Sequence, residues 1–266
     1  MYFAVQNAMK VFLLLFFLSF SVKAEFIEIE YTSGGHQIRL EGLSNFKYPL
    51  VSVEEDKLLL VTHASKYWDT QGMTWKGISP LIRYFNENHL PLKTLVSIHE
   101  KAIYQNAEDQ DSYFPNGTSV ESFHPFQGDS HRIVFKGRNV VVAGGNFTIC
   151  ACNALRSVIA HSETKETLNV FLPLDGIYEG QGGRLRTLHE ISNENDDRKF
   201  LQYLIEDFFN ADGLPCKEPS LYSLDRSFTY RIFRKGKFIG RFGEGKTLVR
   251  IYFEGSDQII RKLEDL

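Results

Sequence analysis

The sequence predicts an α/β fold: three layers, a mainly parallel sheet flanked by helices, with antiparallel hairpin or meander additions at both ends of the chain. Three observations carry this. Continuous apolar runs, LLLV at 58–61 and VVVA at 140–143, read as strands buried on both faces, which is the pattern of parallel sheets. Segments with helical apolar spacing stand between such runs, so strand and helix alternate through the middle of the chain. Toward each end the pattern becomes apolar–polar alternation broken at glycines, the chemistry of hairpins.

Residues 1–24 are set apart from the fold. MKVFLLLFFLSFSVKA at 9–24 has a lysine, an apolar run and a small-residue ending, the layout of a secretory signal peptide cleaved after Ala24. The run from Val11 to Phe20 is roughly half of the ~20 residues a membrane-spanning helix needs. The reading is therefore a periplasmic or secreted protein with no membrane span after cleavage. Residues 25–56 hold a β-hairpin, FIEIEYTSGGHQIRLEGL folded at Ser33-Gly34-Gly35, and a lead-in.

The α/β core is expected over 57–215. Its first strand is LLLVT, between Lys57 and His63. Ser79 reads as an N-cap with Pro80 at the first helical position, and Leu81, Ile82 and Phe85 form the apolar face. A second buried strand runs from Lys93 to His99, and residues 100–130, rich in Asn, Asp, Gly, Ser and Pro, read as one long loop. The third strand, Asn139–Gly145, leads into a helix from Thr148 to His161, and a fourth strand spans Leu168–Leu174. In DDRKFLQYLIEDFF at 196–209, Phe200, Leu201, Leu204, Ile205, Phe208 and Phe209 share one face of an amphipathic helix, stopped by Gly213 and Pro215. Residues 216–266 complete the chain with strands 228–233, 237–242 and 247–253 joined at Gly236 and at Gly243-Glu244-Gly245, read as an antiparallel meander. That meander either extends the main sheet or pairs with the N-terminal hairpin.

Charge argues against nucleic acid as a partner: 30 Lys plus Arg face 33 Asp plus Glu, a net charge of −3 without a basic run. The 22 Phe and 12 Tyr point to a well-filled core. Cys150, Cys152 and Cys216 are an odd count, which in an exported protein leaves one free thiol or an intermolecular bridge. A Cys152–Cys216 disulfide would leave Cys150 free.

The chemistry centres on NVVVAGGNFTICACNALRSVIAHS at 139–162. With Thr148 as the helix cap, Cys150 falls in the first turn, where unpaired N–H groups and the helix dipole favour an anion. A thiolate there is a competent nucleophile, and the same N–H groups would hold a tetrahedral oxyanion.

This stretch resembles the isochorismatase-like cysteine hydrolases, which include the nicotinamidases. In that family a buried strand ends in glycine and the nucleophilic cysteine follows six residues later at a helix start, as Gly144 and Cys150 do here. The order of elements over 57–178 agrees as well. The resemblance implies hydrolysis of a small amide or ester, with Cys150 as nucleophile. It also implies a proton-accepting aspartate ending the first strand, where this chain has His63, and a lysine near the nucleophile, for which Lys101 and Lys136 stand in range. Asp69 lies further along the loop. The candidate catalytic set is Cys150, His63 and Lys101, with a small-molecule substrate or an envelope partner and no cofactor.

Two other readings stay open. In one, Cys150 is a buried small residue between helix and sheet, and the protein is an inactive binding or structural protein of the cell envelope that retains the fold. In the other, His63 and His99 end neighbouring strands and meet a metal with Glu100 or His124; no close-spaced ligand motif accompanies them, and no metal is assigned. The nucleophile reading predicts that the carboxyl ends of 58–62, 94–98 and 140–143 lie side by side, with His63, His99 and Cys150 on one cleft.

Overall fold

The computed structural model describes residues 26–33, 36–43, 51–62, 75–96, 120–122, 133–163, 167–181, 184–191, 196–208 and 228–266. The chain divides into two compact units, Met1–Phe46 and Lys47–Leu266. In the first, β1 (Phe26–Ser33) pairs antiparallel with β2 (His36–Leu43), with Ser33 opposite His36, so the expected hairpin is present. The predicted signal segment lies outside the described residues.

The second unit is α/β. Its sheet contains β4 (Lys57–Thr62), β5 (Leu92–Val96), β6 (Val120–Ser122), β8 (Asn139–Gly145), β9 (Leu168–Pro173), β12 (Phe228–Arg234), β13 (Lys237–Phe242) and β14 (Thr247–Glu254), in the order β13-β12-β14-β9-β8-β4-β5-β6. Every pairing along this path is parallel except β12 with β13. A separate parallel pair joins β3 (Val51–Val53) to β7 (Ile133–Phe135).

Both faces of the sheet are covered, and the alternation of side chains divides the core in two. Leu58, Leu60, Val140, Val142, Val170 and Leu172 face α2 (Cys152–His161) and α4 (Asp197–Tyr203). Leu59, Val61, Val141 and Ala143 face α1 (Trp75–Glu87) and α5 (Ser256–Glu264), which also touch each other. Among the described residues one further α-helix, α3 (Leu188–Ile191), is a single turn. Two fully apolar strand faces explain why these strands read as unbroken hydrophobic runs. Among the described residues no helix is long and apolar enough to cross a membrane.

Several expectations are corrected. Helix α1 begins at Trp75, with Pro80 inside it. A Cβ on Gly77 would overlap the backbone of Asp175 and Gly176, so the first turn packs tightly on the loop after β9 and holds despite the hydrogen bond that proline removes. The loop expected over 100–130 contains β6. In the helix after Asp196, residues Leu204–Phe208 form a π-helical turn. Its wider winding moves Ile205 off the apolar face, where it is 50% exposed, while Phe200, Leu204 and Phe208 stay buried.

The C-terminal meander is corrected most. β12 and β13 form an antiparallel hairpin, but β14 crosses back to lie parallel to β12, between it and β9. In this position β14 is covered on both sides, and Val249, Ile251 and Phe253 are fully buried. These strands extend the main sheet. Helix α5, with Ile259 and Leu263 fully buried, then closes the second layer.

Candidate active site at the switch point of the sheet

From β4 the sheet grows one way through β5 and β6, and from β8 the other way through β9 and β14. Between β4 and β8 the order reverses, and the segments that follow the two strands lead to helices on opposite faces. Open α/β sheets bind their ligands at the carboxyl ends of strands at such a reversal. The strand-to-helix joint that carries Cys150 begins there.

The end of β8 is held on both sides. Thr62 Oγ1 donates to the Ala143 carbonyl at 3.0 Å, and Gly144 N–H donates to the Gly176 carbonyl at 2.8 Å. β9 parts from β8 after Phe171, and β10 (Ile177–Gln181) takes its place, pairing Ile177 with Gly144 and Tyr178 with Gly145. β10 then turns back into β11 (Arg184–Thr187). Gly144 has φ +91°, and a Cβ there would overlap the Thr62 carbonyl oxygen. A Cβ on Gly145 would collide with the Tyr178 ring. Both glycines are set by close approach, and the first also by its left-handed backbone. The peptide bond from Gly145 to Asn146 is cis.

Thr148 is not a helix cap, as expected from the sequence, but lies within a π-helical turn, Phe147–Ala151, that precedes α2. The turn is closed by Ala151 N–H donating to the Asn146 carbonyl at 3.0 Å. Phe147 anchors it: the side chain is buried, stacks on Phe208 at 4.5 Å and meets Phe253 edge-on at 6.3 Å. Such pairs add about 0.5–1.5 kcal/mol each beyond burial. The Thr148 N–H donates to Glu179 Oε2 at 2.8 Å. Glu179 is only 5% exposed. A buried carboxylate therefore stands against the turn that contains Cys150.

Of the predicted site residues, Cys150 has its backbone in this turn, and its side chain lies outside the described residues. His63 and Lys101 lie outside them entirely, as do Asp69, His99, Glu100 and His124. The expected strand arrangement is present: β4 lies between β5 and β8, all parallel. Lys136 is excluded. It precedes β8, at the opposite end of the sheet, where its Nζ pairs with Glu54 at 2.8 Å. Cys152 is disulfide-bonded and buried against the core. Glu179 was missed because β10 carries it in from 31 residues away, and nothing local in IYEGQ marks a functional acid. Among the described residues no group of three or more His, Cys, Asp or Glu is placed to hold a metal ion. No family model, curated protein or solved structure matches this chain.

Proposed function

We propose that this chain is an exported cysteine hydrolase that cleaves a small amide or ester through Cys150. The carrying observation is that the Gly144–Cys150 joint lies at the reversal of a doubly wound sheet, with the buried Glu179 carboxylate bonded into the same turn. The likeness to isochorismatase-like hydrolases supports the same assignment. In the reaction the thiol proton passes to a base and sulfur attacks the carbonyl carbon. The tetrahedral oxyanion collapses, expelling a protonated amine or alcohol, and water then hydrolyses the thioester. Glu179, on β10 rather than at the end of the first strand where the resemblance calls for an aspartate, is one candidate base, and His63 at that strand end is the other. The disulfide at Cys152 supports export to the periplasm or beyond, since such bonds persist in oxidising compartments.

One observation favours the second reading, an envelope binding protein that keeps the fold without the activity. Glu179 already occupies the Thr148 N–H, so this backbone donor of the turn is not open to a thiolate or an oxyanion. Iodoacetamide labelling of the native protein, followed by peptide mapping across pH, separates the two. The hydrolase reading expects Cys150 to be labelled with a midpoint well below the ~8.5 of a free thiol, and expects Cys150→Ala to abolish hydrolysis of p-nitrophenyl acetate. Labelling only after unfolding would overturn the hydrolase and leave the binding protein.

A further inference from the structure

Beyond β9 on the same carboxyl edge of the sheet lies a pocket of about 630 Å³, within the ~300–1,000 Å³ range of small-molecule sites. It opens where the adjacent parallel strands β9 and β14 part. The chain after β9 leads toward α4 on one face, and the chain after β14 enters α5 on the other. The polar lining includes Asp175, His189, Lys235, Glu254, Gln258 and Lys262.

These groups are held in place. The Glu254 side chain is 3% exposed, and its Oε1 accepts from Lys262 Nζ at 2.8 Å and from Gly236 N–H at 3.0 Å. Lys262 Nζ also lies 4.7 Å from the Tyr252 ring centroid. Asp175 accepts from Ser256 N–H at 3.0 Å and Ser256 Oγ at 2.7 Å at the start of α5. Lys235 and Gly236 make the turn from β12 to β13 with φ +47° and +77°. A turn of two left-handed residues favours Asn, Asp or Gly, yet its first residue here is a lysine that makes no ion pair with the described residues.

We propose that this pocket binds a small hydroxylated carboxylate, such as a sugar acid or hydroxy acid. Its carboxylate pairs with Lys235, and its hydroxyls meet Gln258, His189 and the second oxygen of Glu254. Among the described lining residues, Lys262 is paired with Glu254 and Asp175 already caps the start of α5 through Ser256, which leaves the Lys235 ammonium as the cation for a single negative charge. A phosphate, with about −1.5 to −2 charge at neutral pH, meets Glu254 and Asp175 with too few cations. The assignment does not depend on the chemistry of Cys150.

Calorimetric titration of the full protein with glucuronate, glucose and inorganic phosphate tests it. Glucuronate should bind at micromolar to millimolar concentration, at least about ten-fold more tightly than glucose or phosphate. Lys235→Gly should weaken glucuronate by about ten-fold or more while raising the melting temperature, because glycine relieves the left-handed backbone. Affinity lost as stability rises cannot come from misfolding. No heat with glucuronate, unchanged affinity in Lys235→Gly, or tighter binding of phosphate would each overturn the proposal.

Discussion

Gly144 and Gly236 both sit at positive φ, +91° and +77°, but their surroundings differ. At Gly236 a Cβ would meet nothing within 4 Å, whereas at Gly144 it would overlap the Thr62 carbonyl across the β4–β8 ladder. Gly236→Ala is therefore expected to cost about 1 kcal/mol, the conformational penalty alone. Gly144→Ala adds a clash with backbone that cannot move without breaking strand pairing, and should cost about 3–5 kcal/mol. Urea denaturation of the two variants checks the contrast; equal losses would mean that the close approach at the switch point is not as described. The same close approach keeps the end of β8 against β4, ahead of the turn that carries Cys150.

At the scale of elements, the buried strands were legible because each is a short run of Leu and Val covered on both faces. What a strand's own residues do not encode is the direction of its neighbour. TLVRIYF alternates as well for a meander as for the parallel position between β12 and β9 that β14 takes. The π-helical turns were equally silent: one extra residue per turn shifts the apolar face, and Ile205 is the residue displaced. In the site, the glycine-to-cysteine joint was readable along the chain. Glu179 was not, since only the pairing of β10 with β8 brings it there. Tyr230 on β12 makes packing between elements measurable. Burial raises its hydroxyl above the usual ~10, while Arg156 of α2 opposes the rise. The folded state thus keeps a proton that the unfolded chain loses, so this contribution is complete below pH ~10 and is lost as pH rises further. Unfolding free energy of the wild type should fall above pH ~10 by up to about 1 kcal/mol per pH unit more steeply than that of Tyr230→Phe. Parallel pH profiles of the two would show that Tyr230 titrates as an exposed tyrosine does.

At the scale of the whole molecule, the doubly wound order places two separate features on one edge of the sheet, the Cys150 turn after β8 and the pocket beyond β9. The disulfide at Cys152 sits at the first residue of α2, and the chain has only Cys150 and Cys216 as intramolecular partners for it. A bond to Cys150 would tie residues only two apart in the sequence, whereas a bond to Cys216 closes a long loop and constrains the unfolded chain far more. We therefore expect the bond to join Cys152 to Cys216 and to leave Cys150 as the single thiol. Thiol titration in denaturant without reductant should find one thiol per chain, and three after reduction; peptide mapping should place the one thiol at Cys150. Closing a loop of this length should stabilise the chain by about 2–4 kcal/mol, so reductant should lower the melting temperature. Three thiols before reduction would remove the disulfide and with it the structural support for export. A map that joins Cys150 to Cys152 would make the nucleophile unreactive in the oxidised protein, and hydrolysis would then appear only after reduction.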